Sequence, residues 1–324
     1  MIRRGFKAIG LFFIFAISIS SLYLFNLFFM KPASIDHYLG KEVLVDLVSS
    51  PEYMTYMGIF DSFNWVTNNN AELSIIGKDD IQNDIKSSQK SLKLLNKYEN
   101  SSLSDSQKIT KRIAIFDIEN GLNQLENFPY HDYPLNQVRG AHHNVISFMS
   151  DQHPVRNYSE AKDFIKRTDL VKDVFAGQLD WLKKQAAVGV YAPEFVYNHL
   201  VNQLNELINY SADEHPIYTE FFKKVELLNI SESKFSSLDN DLKASIETSV
   251  TPGFVLLRDF MVSTKAKANK NHGIWSQPNG DEFYKLRIRS YTTTNYSPGE
   301  IHNIGLSEVA RISARMTEIL IFFF

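Results

Sequence analysis

Twenty-three consecutive residues, Ala8 to Met30, carry no charge, and Arg3, Arg4 and Lys7 stand immediately before them. A run of that length is enough to cross the hydrocarbon core of a bilayer and exceeds the apolar region of an ordinary cleaved signal peptide. The basic leading side predicts that the N-terminus stays in the cytoplasm and that everything after Met30 lies outside it. Ser18 and Ser20 offer a weak cleavage alternative, but a cut there leaves the awkward apolar start LYLFNLFFM. The expectation is therefore a signal anchor over residues 1–31, holding the chain on a bacterial inner membrane with its bulk periplasmic or extracellular.

The remaining residues read as helices. Gly and Pro are scarce, at 14 and 10 in 324 residues, and apolar positions recur at helical rather than alternating spacing. Spacing predicts helices over about 81–98, 105–128 and 194–210, and one that Ser159 caps and that runs to about Ala187. Another opens at Pro216 and runs to Leu228. A last one falls within 238–267, interrupted at Thr251-Pro252-Gly253. The helix over 105–128 shows an apolar side of Ile109, Ile113, Phe116, Leu122 and Leu125. A hairpin is expected around Trp275 to Gly280. The fold class is all-α, a multi-helix scaffold preceded by one transmembrane helix.

Near the end, Ser297, Pro298 and Glu300 form a capping box that starts a helix. At about 100° per residue, Ile301, Gly305, Val309, Ile312 and Met316 share a stripe, so the helix is expected to pack on a core. His302 lies about 60° from the stripe's centre and is expected to be partly buried. No Gly stop or polar last turn follows. Residues 317–324 read instead as an aberrant apolar tail, uncharged after Glu318 and rich in β-formers, with the aggregation hazard such segments carry.

Composition removes several kinds of chemistry. The formal charge of −3 arises from well-mixed acidic and basic residues, which gives no footprint for nucleic acid. The absence of cysteine removes disulfides, thiolate catalysis and cysteine-based zinc sites. Nine histidines invite a metal, yet no His-Glu-x-x-His is present, and His142-His143 are neighbours that point about 100° apart on a helix. They read as loop or surface residues. No nucleophile elbow, phosphate loop or dinucleotide fingerprint occurs. Catalytic and metal residues are thus assigned to none. Trp275, Tyr284, Tyr291, Thr293 and His302 remain as a candidate substrate cleft, against the plainer roles of core aromatics, local turn hydrogen bonding and a partnered buried histidine.

Three segments resemble one bacterial family, Domain of Unknown Function 885: HDYPLNQVRGAHHNVISFMSDQHPVRNYSEAKDFIKR (His131 to Arg167), WLKKQAAVGVYAPEFVYNHLVNQL (Trp181 to Leu204), and Gly273 to Ile312. The last carries Trp-x-x-Pro-x-Gly, Tyr-Thr-Thr-Thr and Glu-Ile-His-x-Ile-Gly-Leu-x-Glu-Val-Ala-Arg. The resemblance spans about Ser50 to Met316 and implies an exported or lipid-anchored helical protein related to zinc metallopeptidases. It further implies a longer full-length form, with a zinc-binding His-Glu and Pro-Gly-His pattern downstream of the region seen here. None of those residues is present, so no zinc ligand is carried over, although zinc is expected for an intact member. The resemblance thus implies an incomplete region, residues 32–316, forming the N-terminal half of a peptidase-like scaffold. The expected product is a truncated fragment, inactive alone. The alternatives are a membrane-tethered binding scaffold that contacts peptides or another partner, and half of a peptidase completed by a separate C-terminal chain.

Overall fold

A computed structural model describes residues 2–75, 77 and 81–323; Met1 and Phe324 lie outside it, as do the side chains of residues 2–13, 63 and 323. The first helices are α1 (Ile2–Phe29), α2 (Ile35–Ser49), α3 (Pro51–Met57), α4 (Asn64–Thr67), α5 (Ile81–Asn96), α6 (Asp105–Asn127) and α7 (Ala141–Ser147). Next come α8 (Tyr158–Asp169), α9 (Val171–Ala187), α10 (Glu194–Asn209), α11 (Pro216–Val225), α12 (Glu232–Ser245) and α13 (Thr251–Thr264). The last two are α14 (Gly280–Thr292) and α15 (Pro298–Phe323). Among the described residues there is no strand, only a single parallel bridge between Pro193 and Asn269. The fold is all-α, as the spacing predicts. The segment at Trp275 is a 3₁₀ turn, Ile274–Ser276, rather than a hairpin.

Among the described residues, no helix is long and apolar enough to cross a membrane. The first six residues of the expected span, Ala8 to Phe13, have side chains outside that description. α1 exposes Phe15, Leu22, Phe25 and Phe29. Its exit is clamped to the body: the Tyr98 hydroxyl donates to Pro32 O (2.8 Å), and Lys31 Nζ donates to Lys97 O (2.9 Å) while lying over the Tyr98 ring. Burial pushes the Tyr98 phenol up to about 12, so that it remains a donor.

The main core lies among α8 to α13, where Phe164, Phe175, Leu200, Leu204, Phe221, Leu242, Phe254 and Leu257 are wholly buried. A smaller core of Ile35, Tyr38, Leu95 and Tyr98 joins α2, α5 and α6. Phe128, Phe283 and Leu286 join α6 to α14. The expected apolar side of α6 is only partly covered: Leu122 is buried, but Ile109 and Ile113 stand 57% exposed.

Helix boundaries show where tertiary contacts override local signals. Asn157, not Ser159, caps α8, accepting from Glu160 N at 3.1 Å. The expected long helix also breaks at Leu170. Ser249 sits in that break, donating to Asp169 O (2.8 Å) and accepting from Lys172 N (3.0 Å). A helix end thus finds its backbone partners on another element. Ser249 belongs to a π-helical turn, Ile246–Val250, just before Pro252 in the first turn of α13. The wider turn relieves the clash that a proline ring makes with the carbonyl four residues earlier. The interruption expected at 251–253 is therefore this π turn, and α13 begins rather than breaks there.

Gly253 brings α13 against α9. A Cβ there would fall 2.5 Å from Phe175 Cδ2 and 3.4 Å from Lys172 Cα. Gly121, on the exposed side of α6, meets nothing within 4 Å.

A second fastening ties residues 52–74 to α8. Arg167 is fully buried. Its Nε donates to Glu72 O (2.8 Å), Nη2 to Thr55 Oγ1 (3.0 Å) and to Asn69 O, and Nη1 to His153 Nδ1 (2.8 Å), with the guanidinium 4.9 Å from the Phe148 ring centre. Alongside it, Asp163 accepts from Asn64 Nδ2 (3.0 Å), and Arg156 bridges Asp61 and Glu160.

Two expectations follow for urea unfolding. Gly253→Ala should lose about 1–3 kcal/mol to overpacking, whereas Gly121→Ala should gain about 0.5–1 kcal/mol, so the two midpoints move in opposite directions. Arg167→Lys cannot reach all four acceptors and should cost about 2–4 kcal/mol, with α8 and residues 52–74 losing amide protection first.

Candidate functional site

α14 and the segments flanking it carry the expected cleft residues, and all five are exposed. Trp275 is 67% exposed on the 3₁₀ turn, and Tyr284 is exposed on α14. Tyr291, at the end of α14, is 78% exposed; its hydroxyl accepts from Arg287 Nη2 (2.8 Å), and the guanidinium lies 5.0 Å from its ring centre. Thr293 closes α14 in a left-handed conformation, φ 55°, and its hydroxyl donates to Thr292 O. Thr292 in turn bonds Ile288 O and Thr294, so the threonine run is occupied with local hydrogen bonding. His302 is exposed, contrary to its expected burial, because α15 leaves the body.

Trp-x-x-Pro-x-Gly has a structural explanation. A Cβ on Gly280 would fall 2.1 Å from Ile274 O, so only glycine lets the turn close. Pro278 O accepts from His131 Nε2 (2.8 Å), and Gln277 Nε2 donates to His131 O (3.2 Å).

Two open grooves flank this region. One of about 640 Å³ runs between the end of α6 and α14, lined by Asn123, Asn127, Asn279, Lys285, Arg289 and Tyr296. None of the five expected cleft residues lines it. The other, about 540 Å³, is bordered by Thr293 with Ile109, Ile113 and Phe116. The carboxamides of the larger groove suit hydrogen bonding to a polar chain. The one trace of them in the sequence is Asn123 and Asn127, four residues apart on α6.

A third cleft, about 810 Å³, lies between α7, α10 and α11, with His143, Asp151, Gln203, Glu206 and Glu220 in its walls. Ser147 donates to Asp151, and Lys223 pairs with Glu220. Beside this cleft His142 is fully buried rather than on the surface, its ring centre 4.2 Å from that of His143, and burial pushes it down to about 4. His215 is likewise buried and lowered to about 4; its Nδ1 caps α11 by accepting from Ile217 N (3.2 Å). His153 is lowered to about 3 by burial, reinforced by Arg167. These imidazoles are neutral because burial excludes the water that would solvate the charged form, and His153 and His215 also serve as acceptors. Among the described residues, no three His, Asp or Glu side chains are placed to hold one metal ion.

The architecture is therefore that of a helical scaffold with open polar grooves, and comparison with known proteins places it. The chain belongs to the DUF885 family, bacterial proteins of unknown function, whose model matches residues 51–321. Among solved structures it is similar to "the putative lipoprotein from Colwellia psychrerythraea", with a TM-score of 0.69 and 21% identity, over 85% of this chain and 50% of that one. The chain thus spans half the length of that neighbour, and the likeness concerns the fold. Among proteins with curated descriptions, none matches.

The lowered histidines set a pH dependence. Each is neutral in the fold but binds a proton near pH 6.5 when unfolded, so the unfolded state binds more protons as pH falls through 6.5. Stability should decline from about pH 6.5 towards pH 4, by roughly 1.4 kcal/mol per pH unit for each histidine. His215→Asn keeps a capping acceptor and should shallow that slope by about one proton. Chemical denaturation between pH 4 and 8 reads both.

Proposed function

We propose that this chain is the helical scaffold of an exported, membrane-tethered family member, which acts by contact with a partner and does not hydrolyse peptides alone. Tethering through Ala8 to Met30 is supported by the uncharged run and its basic leading side, and export by the likeness to a Colwellia protein described as a lipoprotein.

The observation that carries the contact reading is α15. Every described residue from His302 to Phe322 is exposed, including Val309 (63%), Ile312 (47%), Met316 (59%) and Leu320 (55%). A continuous apolar stripe on a long helix is a surface suited to being covered. Zinc-dependent peptide hydrolysis, which the family resemblance implies for longer members, is assigned in this reading to residues that this sequence does not contain.

The chain of residues 1–324, purified in detergent, should bind no stoichiometric zinc and leave a mixed peptide library uncut. One zinc per chain, with cleavage that a chelator abolishes, would overturn the proposal.

A further inference from the structure

We propose that α15 pairs antiparallel with α15 of a second copy in a single register. The inference rests on the reading of α15 as a contact surface and names what the surface contacts.

Gly305, Val309, Ile312, Met316 and Ile319 follow one another at spacings of four, three, four and three residues. That alternation is the 3.5-residue period of a two-helix seam. The helix continues through residues 317–323, so the apolar end extends the seam instead of breaking away from it.

The register follows from size and charge. Setting Val309 of one helix against Ile312 of the other places Gly305 against Met316. Gly305 carries no side chain, so this register sets the smallest seam residue against the long methionine. Glu308 and Arg315 each stand one residue before a seam position, on the same flank and one heptad apart. Antiparallel pairing in this register brings Glu308 of each copy opposite Arg315 of the other. Within each helix Glu308 already pairs with Arg311 (2.7 Å) and Arg315 with Glu318 (2.8 Å), so the contact joins these pairs into rows of alternating charge. The seam ends where His302 falls opposite Ile319. A parallel pair would stack Gly305 on Gly305 and Met316 on Met316 and bring no such charges together.

The cysteine-free full chain, in detergent, permits a direct test. Positions 305 and 316 lie about 16 Å apart along one helix, too far for an internal disulfide, which needs Cα atoms within about 7 Å. Under mild oxidation the double variant Gly305→Cys/Met316→Cys should run as a covalent dimer, and neither single variant should. Glu308→Arg and Arg315→Glu should each raise the dimer dissociation constant about two- to fivefold, and the double swap should restore it. Val309→Asp should yield a monomer with unchanged helical circular dichroism. Crosslinking by the single variants, or charge reversals without rescue, would overturn the register. A monomeric wild type would overturn the second copy as partner.

Discussion

A guanidinium buried without a carboxylate in contact must be satisfied by neutral acceptors, and Arg167 takes them from four places. The carbonyls of Glu72 and Asn69, the Thr55 hydroxyl and His153 Nδ1 converge on it from segments almost a hundred residues apart. Burial lowers the guanidinium to about 10, so it remains charged at neutral pH. An uncompensated buried charge costs several kcal/mol, so the acceptors have to be present together. The cation also sets the tautomer of the His153 ring, with Nδ1 accepting and Nε2 facing Glu160 O. Burial is the main reason that His153 stays neutral, and the cation reinforces it.

The same view explains the family signature in HPVRNYSEAKDFIKR. Asn157 caps α8, Glu160 and Arg156 hold each other and Asp61, Asp163 holds Asn64, and Arg167 closes the latch. Trp-x-x-Pro-x-Gly similarly serves the closure of a turn on His131. Motifs that carry the family resemblance are thus spent on fastening the scaffold. The aromatic and threonine residues expected to form a cleft are exposed on its surface.

Much of the fold was legible from spacing. The helices at 81–96, 105–127 and 194–209 fall within a residue or two of their expected ends, and the Ser297-Glu300 capping box forms, with Glu300 accepting from Ser297 N at 2.7 Å. The site was not legible. Its grooves are assembled from α6 with α14, and from α7 with α10 and α11, and such pairings leave no local periodic mark. His142 shows the limit well: neighbours in sequence gave no reason for its complete burial.

By itself the sequence determined helix content, the main turn points, the absence of thiol chemistry and the apolar stripe of α15, because each depends on residues within one or two turns of one another. Only the tertiary structure decided that α8 and α9 separate at Leu170, that three histidines stay neutral and that α15 stands uncovered. Those outcomes depend on partners distant in the chain: Ser249 in the break, the packed walls around each imidazole, and the lack of any described element against residues 302–322. Local spacing fixes which face of a helix is apolar, but only packing settles what, if anything, lies against it.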